Sequence, residues 1–136
     1  MAMTVQFELV SPERLLVSEA VEMVVVPGTE GNFGVLPEHS PLLSTIRPGV
    51  IDIYNKGEIT NRIFVAGGFA DVNETSCTVL AEEAIPVRDL TADMCAVRIQ
   101  AQEDARSEAN NPVEREAAIR RLAVAKAMQE AFLAGV

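Results

Sequence analysis

The side chains best suited to acid–base or metal chemistry are few in this sequence. His39 is the single histidine, and the two cysteines, Cys77 and Cys95, stand far apart and outside any CxxC pair. A catalytic triad or a zinc site needs several such groups within reach of one another. Cys77 falls in a predicted strand, where a small core residue is expected. The pattern therefore predicts no metal site, no disulfide framework and no catalytic residue.

One glycine-rich segment invites comparison with phosphate-binding loops. Residues 28–34 read GTEGNFG. A phosphate loop would require GK[ST] and a helix start directly after the glycines. Here the segment continues into a β-rich run, and Glu30 would repel a phosphate. We therefore interpret it as a tight β-turn, in which glycine supplies positive φ.

Charge and composition exclude further classes of protein. Of the 136 residues, 20 are Asp or Glu against 11 Lys or Arg, which gives a formal net charge of −9. A phosphate backbone would be repelled by that balance, so nucleic acid is not an expected partner. The N-terminus lacks the pattern of a signal peptide, and no apolar run approaches the length of a spanning helix. We expect no direct membrane insertion and no cofactor.

The first half of the chain has the period of half-buried strands. Val5, Phe7 and Leu9 alternate with polar residues, and short β-rich runs follow one another with turn signals between them. The segment 55–58, NKGE, predicts a hairpin. About ten short strands in 86 residues leave no room for crossover helices, so antiparallel pairing in a sandwich or barrel is expected.

After Pro86 the pattern changes to that of helices, which places a domain boundary between residues 1–86 and 87–136. Asp89 or Thr91 can cap the first helix. Asn111, Pro112 and Glu114 predict the start of a second helix, with Glu114 closing an exchange like a capping box.

Each helix carries a narrow, alanine-rich stripe. The first stripe is predicted at Leu90, Met94, Val97 and Ala101. The second is predicted at Ala118, Leu122, Ala125, Met128 and Phe132. Two such helices joined by a short turn form an antiparallel hairpin. Because so thin a hairpin buries little surface, it is either movable or permanently docked, and the pattern leaves both open.

Several segments together resemble the epsilon subunit family of the F-type ATP synthase. The longest is 25–43, VVPGTEGNFGVLPEHSPLL, which continues through IRPG at 46–49. FELVSPE at 7–13, AGGFADV at 66–72 and VLAEEA at 79–84 also resemble that family. The resemblance is close over residues 3 to 84, whereas the tail is similar only in architecture.

The resemblance implies an α+β protein with an N-terminal antiparallel β-sandwich of about ten strands and a C-terminal helical hairpin. It implies a non-catalytic rotor subunit of the central stalk that couples c-ring and gamma rotation to ATP synthesis. Its place would be the cytoplasmic side of the bacterial inner membrane, as a peripheral part of the F1 sector.

The resemblance also assigns site residues. The turn Glu30-Gly31-Asn32 matches the tip that the family sets against the polar loops of the c-ring. The family often has an acidic residue where this chain has Asn32, so Glu30 is expected to supply that charge. Gamma-facing positions are matched by Ser11, His39 and Ser44. For His39 the alternative is a turn histidine bonded to nearby backbone.

The helical tail of bacterial family members can extend along gamma and hinder ATP hydrolysis. The resemblance implies contacts to the alpha and beta subunits, and the basic residues that could make them are Arg115, Arg120, Arg121 and Lys126. A solvated charged face is the alternative. An ATP-binding motif of some members, I-D-x-x-R-A, departs here at Arg88 and Thr91, so no nucleotide site is expected.

A second hypothesis remains beside the rotor subunit. A free-standing ligand-binding β-sandwich with a helical dimerisation tail would show the same change of period near Pro86. An enzyme of unrecognised type is disfavoured by the single histidine and by the lack of a metal or phosphate motif.

Overall fold

The computed structural model describes residues 3–135 and divides the chain into two compact units, residues 1–86 and 87–136. The first unit is built of strands and the second of helices. The ten strands are β1 (Val5–Val10), β2 (Leu15–Val21), β3 (Met23–Gly28), β4 (Gly31–Val35), β5 (Leu42–Ile46), β6 (Gly49–Asn55), β7 (Glu58–Val65), β8 (Gly68–Val72), β9 (Ser76–Ala81) and β10 (Ala84–Pro86).

The strands form one continuous curled sheet in the order β10-β7-β6-β3-β5-β8-β9-β1-β2, with β4 paired to β3. Neighbours are antiparallel with one exception, since β1 and β9 run parallel, Gln6 opposite Ser76 and Val10 opposite Leu80. Purely antiparallel pairing was therefore wrong for this pair. β1 and β9 lie far apart in sequence, and local strand patterns carry no information on which distant strand becomes a neighbour.

The core follows from the two-residue alternation of the strands. In β1 the side chains of Val5, Phe7 and Leu9 are fully buried, as predicted. In β6 the same is true of Ile51 and Ile53. All of these belong to one apolar cluster, so the curled sheet encloses a single core.

Local turn chemistry sets the register. The β6–β7 hairpin closes through Lys56 and Gly57 at φ +54° and +76°, the left-handed pair of a two-residue turn, which confirms the hairpin prediction. Gly68 opens β8 at φ +142°, and a Cβ there would lie 2.0 Å from the carbonyl oxygen of Leu80. Only glycine permits so close an approach of β8 to β9.

The second unit begins with a 3-10 turn over Val87–Asp89, followed by α1 (Ala92–Ser107) and α2 (Pro112–Ala134), which pack against each other. Thr91 caps α1 by accepting from the amide of Met94 at 3.1 Å. Asn111 caps α2 by accepting from the amide of Glu114 at 2.9 Å, and the Glu114 carboxylate accepts from the amide of Asn110 at 2.8 Å. These contacts confirm the predicted helix starts. An α+β protein with a ten-stranded β-unit and a helical hairpin is confirmed as well.

The predicted stripe on α1 is wrong for Val97 and Ala101, which are exposed, whereas Leu90 is buried and Met94 is half-buried. Most of the predicted stripe on α2 is confirmed. On α1, Cys95 is fully buried and Val97 is 68% exposed. Leu90 precedes the N-cap Thr91 and does not share the rotation of the helix, so a stripe that starts at Leu90 is displaced on α1. On α2 the buried residues are Ala118, Leu122, Ala125, Met128 and Ala131, while Phe132 at the predicted end is half-buried.

The boundary after Pro86 leads to a truncation experiment. A chain that ends at Pro86 keeps every strand and the whole apolar cluster of the β-unit. We expect it to unfold in one cooperative urea transition and to keep its β-type circular dichroism, because the core needs no residue beyond 86. A chain that lacks a cooperative transition would contradict the independence of the β-unit. The matched control is the full-length chain under the same buffer conditions.

Candidate functional site

Five turns lie at one end of the β-unit, which we call the tip end. The register places Val10 opposite Leu15, Gly28 opposite Ile46, and Ile46 opposite Gly68. The turns that join β1 to β2, β3 to β4, β5 to β6, β7 to β8 and β9 to β10 therefore share this end. The other turns and the segment between β4 and β5 lie at the opposite end.

The β3–β4 hairpin carries the three residues predicted for the tip. Gly28 pairs with Gly31, and Thr29 and Glu30 form the loop between them. Gly31 has φ +129°, and a Cβ on Gly28 would lie 2.9 Å from the carbonyl oxygen of Gly31. Both glycines are therefore required by the backbone. Glu30, Gly31 and Asn32 are all exposed, so the structure brings the three together on the surface.

Arg47 ties this hairpin to the neighbouring strand, and sequence reasoning missed it. Its amide donates to the carbonyl of Pro27 at 2.9 Å. Its guanidinium donates to the carbonyl of Gly28 at 2.5 Å and to Oδ1 of Asn32 at 2.6 Å. The signal in the sequence that points to Arg47 is the IRPG segment at 46–49.

The three residues predicted to face gamma are spread along the β-unit. Ser11 follows β1 at the tip end, where its hydroxyl donates to the carbonyl of Arg14 at 3.4 Å. His39 lies in the segment between β4 and β5 at the opposite end. Ser44 lies within β5, opposite Ala70 of β8. They form no cluster, and together they span the length of a strand.

The side-chain contacts of His39 and Ser44 are local. Nδ1 of His39 lies 2.6 Å from the carbonyl oxygen of Ser40, the backbone contact foreseen as the alternative for this histidine. The hydroxyl of Ser44 donates to the carbonyl of Thr45 at 2.9 Å. Ser44 shares its side of the sheet with Ala70, which is fully buried, so it lies on the core side.

The outward side of β5, β8, β9, β1 and β2, which we call the outer face, carries uncovered apolar side chains. Across these strands Phe69 lies opposite Leu80, and Leu80 lies opposite Val10, with Leu15 of β2 next in line. Phe69 and Leu80 are each 52% exposed, Leu15 is 54% exposed, and Leu43 beside them is 72% exposed. We call Phe69, Leu80, Val10 and Leu15 the apolar row. A contiguous exposed apolar surface of this kind is typical of a binding site.

Sequence reasoning missed the apolar row because its members lie on four different strands. Alternation within β8 and β9 indicates that Phe69 and Leu80 lie on the side of the sheet opposite to the core residues Ala70 and Val79. Only the pairing of the strands shows that they are neighbours.

The four basic residues predicted to contact alpha and beta are all exposed on α2. They do not share one face. Arg115 and Lys126 are about three turns apart and lie on one side, whereas Arg120 and Arg121 lie roughly 140° and 240° around the helix from Arg115 at about 100° per residue.

Comparison with known proteins identifies the family of this chain. Residues 4–87 match the family described as ATP synthase, Delta/Epsilon chain, beta-sandwich domain. The chain is 58% identical over 134 residues to the ATP synthase epsilon chain of Rhodospirillum rubrum, with 98% of this chain and 97% of that protein covered. The chain belongs to the ATP synthase epsilon chain family. The predicted recognition, and with it a non-catalytic ATP synthase subunit, is confirmed.

Other relatives agree with this membership. The epsilon chain of Paramagnetospirillum magneticum is 54% identical over 131 residues, with 96% of this chain and 98% of that protein covered. Among solved structures, the chain is similar in fold to one in the mitochondrial ATP synthase of Euglena gracilis (OSCP/F1/c-ring), with a TM-score of 0.81 and 20% identity over 96% of this chain and 82% of that one. A chain in the Tetrahymena thermophila structure of the mitochondrial ATP synthase central stalk and c-ring has a TM-score of 0.70 and 14% identity, and the match covers 94% of this chain and 96% of that one.

The described residues, 3–135, contain no group of three or more His, Cys, Asp or Glu side chains able to hold a metal ion. Over the same residues, none of the helices has the length and apolar character needed to cross a bilayer. Family membership also decides against the free-standing ligand-binding module that the sequence left open.

The two cysteines are placed as core residues. Cys77 of β9 and Cys95 of α1 are both free and fully buried. Burial, with a smaller contribution from the negative charge of Asp71, raises the pKa of the Cys77 thiol from 9.0 to about 12. Burial also raises the pKa of Cys95, and the charge of Arg98 partly offsets this. A thiol held in its neutral form is a poor nucleophile, as expected for Cys77.

The raised pKa of Cys77 predicts slow labelling by a thiol reagent at pH 8. The thiolate fraction is about 1,000-fold smaller for a pKa near 12 than for one near 9, and burial slows access further. We expect both cysteines to react only after unfolding in guanidinium. The reaction is measured by the absorbance of the thiolate that an aromatic disulfide reagent releases when it labels a cysteine. Rapid reaction of the native chain would contradict the buried placement.

The same pKa predicts a loss of stability at high pH. The folded thiol keeps its proton up to about pH 12, whereas the unfolded thiol loses its proton near pH 9, so the folded state is favoured below pH 9 and loses that advantage between pH 9 and 12. We expect the free energy of unfolding of wild type to fall by up to about 4 kcal/mol more than that of Cys77→Ala over this range. The free energy of unfolding is measured by urea denaturation at each pH. The prediction is refuted if this free energy falls by the same amount in both proteins between pH 9 and 12.

Proposed function

We propose that this chain is a rotor component of the central stalk, where its β-unit grips the gamma subunit and stands on the polar loops of the c-ring. In this position it transmits rotation to the catalytic F1 sector and carries out no chemistry of its own. The observation that carries the proposal is the apolar row on the outer face. The relatives at 58% and 54% identity support it because they are named as epsilon chains of ATP synthase.

The apolar row supports gamma as the partner of the outer face. Phe69 and Leu80 lie in adjacent strands and are each half uncovered, which would cost free energy unless a partner covers them. Aromatic and aliphatic anchors on a rigid sheet are typical centres of a protein interface. Polar neighbours such as Thr45 and Asp71 on the same outer face would form its rim.

The positions of Ser11 and His39 support an elongated partner. Ser11 follows β1 at the tip end and His39 precedes β5 at the opposite end, and a strand of five residues spans about 17 Å. A long helical shaft that runs along the outer face would pass beside both. Ser44, which lies on the core side, would border such a contact at the edge of β5 and would not form its centre.

The tip end supports contact with the c-ring. Glu30 lies at the outermost position of the β3–β4 hairpin, exposed and next to Gly31 and Asn32. A carboxylate held on a short turn can bind cationic or hydrogen-bond-donating groups of a polar loop. Since the outer face runs up to this same end, one orientation satisfies both contacts.

The helical hairpin is proposed as the regulatory part. Arg115 and Lys126 share one side of α2 and would pair with acidic segments of the alpha or beta subunits, with Arg120 and Arg121 left to solvent or to further partners. Regulatory ATP binding is not proposed. At the two positions where the motif departs, Arg88 lies in the 3-10 turn and the Thr91 hydroxyl is occupied by its N-cap contact with Met94.

The proposed location in the cell follows from the proposed partners. An epsilon chain of a bacterial ATP synthase that binds gamma and the c-ring would be a peripheral subunit on the cytoplasmic side of the inner membrane. The named relatives come from bacteria, which supports that setting.

A charge placed in the apolar row tests the gamma contact. We expect Phe69→Glu and Leu80→Glu each to weaken binding to purified gamma by about 30-fold or more, since a buried unpaired carboxylate costs about 2 kcal/mol at a desolvated interface. The matched control is Ile59→Glu on β7, where the residue is 44% exposed and lies outside the outer face. Affinity is measured by isothermal titration calorimetry, and wild-type affinity in both row variants would refute the proposal.

A crosslink tests the c-ring contact. We expect Glu30→Cys to form a disulfide with a cysteine placed in the polar loop of the c subunit, in membranes that contain the whole complex. The control is Glu58→Cys, which is also exposed and lies in the hairpin at the opposite end of the β-unit, and which should give no product. Equal yields from the two positions would exclude the tip assignment.

A further inference from the structure

The β3–β4 hairpin that carries Glu30 has little support beyond Val25, where the pairing of β3 with β6 ends. β4 pairs with β3 alone, so its other edge is free within the described chain. The loop consists of two exposed residues, Thr29 and Glu30. On the neighbouring side, β5 reaches the hairpin only at its end, where Gly28 lies opposite Ile46. A two-residue turn at the end of an edge strand would be free to move unless another element holds it.

The end of β5 supplies that support through two residues. Thr45 accepts from the amide of Thr29 at 3.1 Å, and the two threonine hydroxyls lie 2.8 Å apart. Arg47 then donates its amide to Pro27 at 2.9 Å. The backbone of the loop is thus held on the β3 side, before the chain reaches Glu30.

The Arg47 side chain holds both sides of the turn at once. One guanidinium nitrogen, Nη1, donates to the carbonyl of Gly28 on β3 at 2.5 Å, and the other, Nη2, donates to Oδ1 of Asn32 on β4 at 2.6 Å. Glu30 lies between these two anchor points. A planar guanidinium presents its donors in a fixed geometry, so it sets the separation of the two strands. A lysine ammonium on a flexible stem would impose no such spacing.

We propose that Arg47 is a positioning residue that fixes the β3–β4 turn in the shape in which Glu30 meets its partner. This rests on the proposed contact of the tip with the c-ring. Asn32 serves as a neutral acceptor, so the Arg47 charge is held by neutral oxygens and Glu30 stays available to a cationic or donating partner. The contribution of Arg47 lies in the spacing of its two donors and not in its charge alone.

Amide hydrogen exchange of the full chain, followed by NMR, tests the holding of the turn. We expect Arg47→Met to speed the exchange of the Thr29 and Gly31 amides by about ten-fold or more, with amides of β6 and β7 unchanged. Arg47→Lys should behave like Arg47→Met, because it keeps the charge and loses the two-donor geometry. The matched control is Arg62→Met, which removes an arginine of β7 bonded to Asp52 at 2.9 Å and should leave the two tip amides unchanged.

The crosslink to the c-ring tests the consequence for docking. In the Glu30→Cys background we expect Arg47→Met and Arg47→Lys each to lower the crosslink yield about five-fold under limiting oxidant, while Arg62→Met leaves it unchanged. Full yield with lysine would show that charge suffices and would overturn the proposal.

Hydrogen exchange and crosslinking together distinguish a failure of the Arg47 proposal from a failure of the proposed c-ring contact. Unchanged exchange of Thr29 and Gly31 in Arg47→Met overturns the proposal, whatever the crosslink shows. Faster exchange with an undiminished crosslink also overturns it, because the shape of the turn would then not matter to the partner. If the Glu30→Cys parent itself gives no crosslink, the proposed c-ring contact fails and takes the docking role of Arg47 with it. The exchange data still decide in that case whether Arg47 holds the turn.

Discussion

The surfaces of the β-unit depend on the burial of one side of every strand in a single aliphatic core. Because successive side chains of a strand point to opposite sides, burial of Leu9, Val79 and Ala70 places Val10, Leu80 and Phe69 outside. A slip of one residue would exchange the two sets, so the core and the apolar row are determined by the same register. The register of the sheet thus gives this non-catalytic subunit an exposed apolar surface.

The tip end shows how a strand order creates a local site. Asn32 and Arg47 are 15 residues apart along the chain and meet because β3 and β5 end close to each other. The backbone demands at Gly28 and Gly31 make the turn narrow, and Arg47 bridges its two strands. Glu30 is thus exposed on a turn that receives hydrogen bonds from Arg47, a residue outside the turn.

In the helical unit the sequence signals are clear at the helix ends and weak along the helix faces. Thr91 and Asn111 satisfy free amides at the two helix starts, and these local contacts depend on neighbouring residues only. The helix faces are rich in alanine, so the residue types do not clearly separate the buried face from the exposed one. This explains why the caps were predicted correctly while the stripe on α1 was displaced, with Cys95 buried in place of Val97. Among the four basic residues of α2, only Arg115 and Lys126 share a side, which limits what a single partner surface can contact.

The strands and helices, the β6–β7 hairpin, the helix caps and the family could be predicted from the amino-acid sequence, because alternation, turn residues and short motifs are carried by neighbouring residues. Which strands pair with one another could not be predicted in this way. The parallel β1–β9 pair, the apolar row across four strands and the bridge from Arg47 to Gly28 and Asn32 all join residues that are distant in sequence. Such contacts arise from the folding of one sheet around one core, which no local pattern records.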